Sequence, residues 1–333
     1  MSDTYSNSSQ TFSMDKIKRP SYTIHIVLFI ITFVTTLMAG MEWTTGKGGP
    51  YEFTDLMRGL PYAVSILFIL TFHEFGHYFA AVYHKVKATL PYYIPFPPIP
   101  GFFNFGTMGA VIRTKSVIPD NKAMFDIGVA GPIAGFIAST AILIYGFTHL
   151  PSVDYIIQIH PDYFTPEYGK EGINLEFGST ILFEILRTLF TNANQFIPPM
   201  SEIYHYPYLC VGWFGLFITA MNLVPVGQLD GGHIIFSMFG EKIHEAIASI
   251  SMIGLAFLGI SGLLGSFIDY DLGFGWSGWL LWAFILYFVI KVKHPPVPYF
   301  EKLSSGRMIV GYFAILIFII SFSPSPFILS VEF

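Results

Sequence analysis

Two histidines and a glutamate occur within one helical turn of each other in a strongly apolar segment. His73, Glu74 and His77 lie in the run 61–82, which is long enough to span a bilayer as one helix. On that helix both imidazoles point to the same side, so both can bind one metal ion. The neighbouring Glu74 carboxylate can accept a proton from a metal-bound water. Because polar groups are costly at membrane depth, we predict a functional site; a structural histidine pair within a helix bundle is the alternative.

A carboxylate that can complete this site follows another apolar run. Asp230 comes soon after Pro225 and Gly227, which break a helix and allow the backbone to turn. Such a turn would aim the carboxylate at the histidine pair. A catalytic zinc takes three protein ligands and keeps one position open. We therefore predict one zinc ion per chain, held by His73, His77 and Asp230.

Two polar neighbours of Asp230 have alternative interpretations. His233, three residues later, is the competing third ligand, or it hydrogen-bonds to a ligand. Asn222, eight residues earlier, can hold a substrate backbone or an oxyanion, and a hydrogen bond between helices is an equally good interpretation. We keep Asn222 as a candidate substrate-binding residue.

The composition is typical of a membrane protein. Of the 333 residues, 53% are hydrophobic and 12% are charged, about half the charged share of a soluble domain. The apolar residues cluster in long uncharged runs, and no basic or aromatic pattern indicates nucleic-acid binding. The single cysteine, Cys210, excludes an intramolecular disulfide.

The apolar runs predict an all-α polytopic membrane protein with about seven transmembrane helices. We expect a disordered cytoplasmic tail over 1–22, a single transmembrane domain over 23–323 with its catalytic core at about 60–233, and a short tail over 324–333. The spans are placed at 23–39, 61–82, 124–149, 206–226, 246–267, 274–290 and 308–322. The first is interpreted as an uncleaved helix, with a cleaved signal peptide as the alternative.

The distribution of positive charge predicts the orientation. With a cytoplasmic N-terminus, 13 of the 17 Lys and Arg residues fall in segments on the cytoplasmic side. The loop at about 150–205 is then external; it is acidic and contains a short amphipathic helix within 178–190. The first 15 residues contain no Arg, unlike a transit peptide, so we expect a multi-pass protein of a prokaryotic plasma membrane.

The segment 89–109, between the second and third spans, is apolar but cannot form one helix because it contains five prolines. Non-helical backbone at membrane depth must be buried in protein or line a wet cavity. We therefore interpret the segment as a re-entrant Pro/Gly-rich hairpin beside the site, with a loop in the membrane interface as the alternative. Residues 107–114 alternate weakly and can form an edge strand.

Sequence motifs around the predicted ligands resemble those of one family. The chain is similar to the site-2 protease family of intramembrane zinc metalloproteases at HEFGH (73–77), NLVP (222–225) and LDG (229–231). It resembles the branch with chloroplast-type and related prokaryotic members at GAVI (109–112) and AGPIAG (130–135).

This resemblance, which covers about 68–295, implies a fold and an activity. It implies a core formed by the second to fourth spans, with zinc on His73, His77 and Asp230. Glu74 then activates the water. The implied reaction is hydrolysis of a peptide bond within or near the transmembrane segment of another protein in the lipid bilayer. The external loop is too short for a PDZ module and the chain ends soon after the seventh run, so we expect neither PDZ nor CBS modules.

The Pro/Gly-rich hairpin suggests how a substrate is held. A substrate helix must unwind before it is cut, because each helical peptide bond is shielded by its own turn. We hypothesise that the hairpin pairs with the unwound strand by β-augmentation, with Phe105 and Thr107 in contact with the substrate.

Two other function classes remain as alternatives. An ion- or proton-coupled membrane transporter would use the buried His and Asp residues as an ion path. It would show internal repeats with paired broken helices, and the two halves of the sequence show no convincing repeat. A catalytically inactive scaffold would lack one of the four site residues, and all four are present.

Overall fold

The computed structural model describes residues 22–46, 52–97, 99, 104–169, 172–192, 194–267 and 274–332. Within these ranges the helices are α1 (Thr23–Thr45), α2 (Phe53–Arg58), α3 (Leu60–Tyr83), α4 (Asn121–Thr148), α5 (Asp154–Ile159), α6 (Ile181–Phe190), a 3-10 helix (Ile203–His205), α7 (Pro207–Leu223), α8 (Asp230–Phe239), α9 (Glu241–Phe267), α10 (Gly278–Ile285) with a π-helical end (Leu286–Ile290), and α11 (Ser305–Ser321). The strands are β1 (Tyr92–Pro95), β2 (Thr107–Val111), β3 (Gly172–Phe177) and β4 (Phe327–Glu332). The predicted tail over 1–22 lies, except for its last residue, outside the described residues.

Apolar helices dominate the described structure. Four of them, α1, α3, α4 and α9, are long and apolar enough to cross a membrane. The runs predicted at 206–226, 274–290 and 308–322 correspond to α7, α10 with its π-helical end, and α11, which are apolar but have 17 residues or fewer. The chain is therefore a mainly helical integral membrane protein.

The helices α3, α4 and α7 pack against one another closely because glycines lie at their contacts. A Cβ atom added to Gly76 on α3 would lie 2.5 Å from the Ala130 carbonyl oxygen on α4. One added to Gly215 on α7 would lie 2.1 Å from Ser139 Oγ on α4. No Cβ atom fits at these distances, so α3 and α7 each lie close against α4 at a glycine.

A charged cluster fixes the adjoining ends of three helices. Arg307 on α11 donates two hydrogen bonds to the Asp126 carboxylate on α4, at 2.8 and 2.7 Å. His84, just after α3, lies 2.7 Å from the same carboxylate. A bidentate arginine–carboxylate pair has a defined geometry. Together with His84, it therefore restricts how α3, α4 and α11 can move relative to one another.

The segment between α3 and α4 contains an antiparallel hairpin of β1 and β2, with Tyr93 opposite Ala110. Residues 98 and 100–103, near its tip, lie outside the described residues. The loop is tied to α1, because Thr35 Oγ1 donates to the Gly106 carbonyl at 2.6 Å and Trp43 Nε1 donates to the Asn104 carbonyl at 2.6 Å. These bonds satisfy backbone groups that no helix satisfies.

The connection between α4 and α7 packs on the C-terminal strand of the chain. Strand β3 in this connection pairs antiparallel with β4. Within the segment 324–333, predicted as a short tail, residues 327–332 form this strand, and Phe327 is buried. The physical reason is its run of apolar residues, which packs well in a small sheet. The amphipathic helix within 178–190 is present as α6, which buries Leu182, Phe183 and Leu186.

Candidate metal centre

Three ligand atoms from two helices meet in the interior of the bundle. His73 Nε2 lies 3.1 Å from His77 Nε2. Asp230 Oδ2 lies 3.5 Å from the first of these atoms and 3.4 Å from the second. Ligand atoms around a tetrahedral zinc are about 3.3 Å apart, and one ion at about 2 Å from each would contact all three. The donor set and its spacing therefore fit a zinc ion.

Glycines of α4 provide the space that the two imidazoles occupy. A Cβ atom on Gly131 would lie 2.1 Å from His77 Nε2, and one on Gly135 would lie 3.0 Å from His73 Nδ1. Both histidines are buried, at 5% and 7% exposure. The two rings are thus enclosed between α3 and the backbone of α4.

The orientation of His77 is fixed by a hydrogen bond on its other nitrogen. His77 Nδ1 lies 2.7 Å from the Ile127 carbonyl oxygen. A carbonyl can only accept, so Nδ1–H donates and Nε2 is left with a lone pair that points to Asp230. Asn222 Nδ2 lies 3.4 Å from His73 Nε2, so this amide is next to the ligand atoms.

A tight turn between α7 and α8 brings Asp230 to the histidines. Helix α7 ends at Leu223, and Asp230 is the first residue of α8. Gly227 in the turn has φ of +55°, and a Cβ atom there would lie 2.0 Å from the Lys291 carbonyl oxygen. A Cβ atom on Gly231 would lie 2.0 Å from the Leu223 carbonyl oxygen. The turn can close only because glycine occupies both positions.

Glu74 lies in a cavity that the metal ligands and the hairpin share. The cavity has a volume of about 390 Å³ and is lined by all three ligand residues, by Asn222, and by Ala110, Val111 and Ile112 at the end of β2. Glu74 is 6% exposed, and Ile112, which directly follows β2, lines the same cavity. The end of β2 is thus next to the residue that is expected to activate water.

The other predicted site residues lie in different places. Phe105 packs against Trp43 and Phe214, and Thr107 Oγ1 donates to the Ile94 carbonyl, so both support the hairpin from within. Neither residue lines the cavity around the ligands. His233 lines this cavity, but its Nδ1 lies 2.7 Å from His294 Nε2 and the residue is not in the three-atom cluster.

The sequence motifs do not reveal every neighbour of the site. Gly131 and Gly135 belong to the AGPIAG motif, which does not by itself connect them with the ligands, although they are four residues apart, as His73 and His77 are. The equal spacing of the two pairs is the sequence feature that indicates the contact. On each of two helices packed side by side, residues four apart lie on the same face and can meet the partner helix. No pattern in the sequence pointed to His294 as the partner of His233.

The fold and the cluster together define a class of protein. A histidine pair on a membrane-spanning helix, a glutamate beside it and a carboxylate from a second helix are typical of a membrane-embedded metallopeptidase. The chain belongs to peptidase family M50, whose model matches residues 61–261. The resemblance to the site-2 protease family is thereby confirmed, and the transporter alternative has no support.

Several curated relatives are plant proteins. The chain is 30% identical to a protein of Arabidopsis thaliana named probable zinc metalloprotease EGY1, chloroplastic, over 72% of this chain and 44% of the relative. It is 31% identical to the protein of that name in Oryza sativa subsp. japonica, over 72% and 42% of the two chains. A relative in Oryza sativa subsp. indica, named probable zinc metalloprotease EGY2, chloroplastic, is 28% identical over 78% and 41%.

The chain thus spans less than half the length of these relatives. No solved structure matches it significantly.

Replacing Gly131 with alanine should weaken zinc binding without unfolding the protein. The added methyl group would push the His77 ring away from Asp230, and overpacking of this kind costs about 1–3 kcal/mol, which corresponds to roughly fivefold to 150-fold in affinity. Zinc competition with a chelator measures the effect. Gly254→Ala is the matched control, because a Cβ atom there meets no other atom within 4 Å. Equal zinc affinity in both variants would contradict this account of the α3–α4 contact.

Proposed function

We propose that this chain is an intramembrane zinc metalloendopeptidase. It hydrolyses a peptide bond within or near the transmembrane segment of another membrane protein. The substrate enters the cavity from the bilayer and binds between the metal centre and the end of β2. In this proposal His73, His77 and Asp230 hold the zinc and Glu74 is the catalytic acid–base group.

One observation carries the proposal. Three ligand atoms from α3 and α8 lie 3.1–3.5 Å apart beside a buried glutamate, in a cavity that reaches a strand end. Burying these polar groups in an apolar bundle is costly, and groups of this kind are therefore a mark of a functional site. Membership of peptidase family M50 and relatives named zinc metalloproteases support the same activity.

The mechanism follows from the positions of the side chains. Bound zinc supplies Lewis-acid chemistry, which acidifies a water and polarises the scissile carbonyl. Glu74 accepts the proton of the attacking water and returns it to the leaving amine. Asn222, next to His73, donates its amide N–H to the carbonyl oxygen as negative charge develops there.

The hairpin holds the unwound substrate next to the metal centre. Among the described strands β2 pairs only with β1, so its other edge is open for a further strand. Ala110, Val111 and Ile112 at this strand end line the cavity. An extended substrate can therefore add to β2 by main-chain hydrogen bonds, which are independent of its side chains. Phe105 and Thr107 contribute by keeping the hairpin rigid.

We also infer the arrangement in the membrane. The shorter apolar helices α7, α10 and α11 serve as spans beside the four long ones, which gives seven spans among the described helices. The excess of Lys and Arg in the segments assigned to the inside supports a cytoplasmic N-terminus. The hairpin is then re-entrant between the second and third spans. A prokaryotic plasma membrane stays our proposal for the compartment, while the relatives carry names that say chloroplastic.

Glu74→Gln should abolish cleavage but retain zinc, because the amide cannot accept the proton of water. Loss of such a base costs at least about hundredfold in rate. The purified protein is incubated with solubilised bacterial inner-membrane proteins, and new N-termini within transmembrane segments are counted by mass spectrometry. Glu52→Gln, an exposed glutamate before α2, is the matched control. Equal numbers of new termini with the parent and with Glu74→Gln would contradict the proposal.

Contact between β2 and the substrate can be tested by cross-linking. The only native cysteine, Cys210, is buried, so an introduced cysteine reacts alone. In the Glu74→Gln background, Val111→Cys should form a disulfide with cysteines placed near the scissile bond of a substrate found in the preceding experiment. Val117→Cys is also exposed but lies beyond the strand, and should not react. Equal cross-linking from both positions would rule out strand addition at β2.

A further inference from the structure

A second group of metal-ligand side chains lies in the connection between α4 and α7. His160 directly follows α5, Glu202 directly precedes the short 3-10 helix, and His205 is the last residue of that helix. His160 Nε2 lies 2.9 Å from His205 Nε2. Glu202 Oε2 lies 3.7 Å from the His205 nitrogen and 4.0 Å from the His160 nitrogen. A single point about 2.1 Å from all three atoms exists, which is the ligand distance of zinc.

This second cluster has the same donor chemistry as the first. Each consists of two imidazole Nε2 atoms and one carboxylate oxygen, and in each all three atoms lie within 4.8 Å of one another. The two sites lie at opposite ends of α7. His205 of the second cluster lies two residues before this helix, whereas Asn222, which is next to His73 of the first cluster, lies in the last turn of the helix. A helix of 17 residues is about 25 Å long.

Contacts behind the ligands already orient them. His205 Nδ1 lies 3.1 Å from the Thr44 carbonyl oxygen at the end of α1, so Nδ1–H donates and Nε2 faces the cluster with a lone pair. The Tyr168 hydroxyl donates to Glu202 Oε1 at 2.7 Å, which leaves Oε2 facing the cluster. Metal-binding histidines and carboxylates are typically held by outer hydrogen bonds of this kind.

One oxygen of the buried Glu202 carboxylate has no hydrogen-bond donor among the described residues. Its Oε2 atom is buried and accepts no hydrogen bond from any described residue, and the residue is 4% exposed. A buried oxygen of this kind is costly unless something neutralises it.

We propose that His160, Glu202 and His205 bind a second zinc ion. This ion joins the end of α5 to the 3-10 helix before α7, and through His205 and Thr44 to the end of α1. The side chain of His160 is 29% exposed, so an ion can enter from solvent at this residue. Hard cations such as Mg²⁺ prefer oxygen ligands and should not compete. The prediction of one zinc per chain counted only the first cluster.

Metal counting on the full-length protein in detergent tests this proposal. After dialysis against about micromolar zinc, the parent should hold two zinc ions per chain by mass spectrometry of the metal. His73→Ala and His160→Ala should each hold one, and the double variant none. His149→Ala, an exposed histidine after α4, should keep two. A parent with no zinc bound to the second cluster, so that His160→Ala changes nothing, would overturn the proposal.

Thermal unfolding separates metal loss from misfolding and from failure of the first site. In the His73→Ala background, added zinc should still raise the melting temperature. Adding Glu202→Gln, which keeps the shape of the side chain, should remove that rise and weaken zinc binding by at least about tenfold. Adding His149→Ala should leave the rise unchanged. A zinc-dependent rise that survives Glu202→Gln and His160→Ala alike would contradict a site at this cluster.

Discussion

The contact between α3 and α4 is the constraint on which the rest of the structure depends. It is made at three glycines: Gly76 lies against the Ala130 carbonyl, and Gly131 and Gly135 lie against the two imidazoles. This close approach encloses His73 and His77 and holds their Nε2 atoms 3.1 Å apart. Larger side chains on α4 would occupy the volume of the rings. The metal site is therefore a property of the helix pair, and α3 alone does not form it.

Two non-helical segments complete the site that α3 and α4 form. The turn around Gly227 brings Asp230 of α8 to the histidines, and the hairpin brings the end of β2 to Glu74. Irregular backbone is tolerated at membrane depth only where protein or a cavity satisfies its polar groups. Here Thr35 and Trp43 of α1 donate hydrogen bonds to backbone carbonyls of the hairpin loop. The catalytic chemistry we propose thus depends on this turn and this hairpin, which interrupt the apolar helices in the sequence.

The sequence predicted the local parts of this structure better than the distant ones. The apolar run around His73 and the breaks near Gly227 are local patterns, and they correctly indicated a spanning helix and a turn. The place of Phe105 inside the hairpin depends on distant aromatic residues, so its neighbourhood was not predictable. The pairing of 327–332 with β3 joins segments about 150 residues apart, and no local pattern encodes such a partner. The contact between His160 and His205 likewise joins residues that are distant in the sequence, so no local pattern predicts it.

The most direct test of the central claim is the zinc content of Asp230→Ala beside that of His233→Ala. These residues are one helical turn apart on α8, but only Asp230 lies in the first cluster, while His233 contacts His294. The account predicts that Asp230→Ala loses one zinc ion per chain relative to the parent and that His233→Ala keeps it. Loss from His233→Ala with retention in Asp230→Ala would show that the two helices hold the metal through a different third ligand.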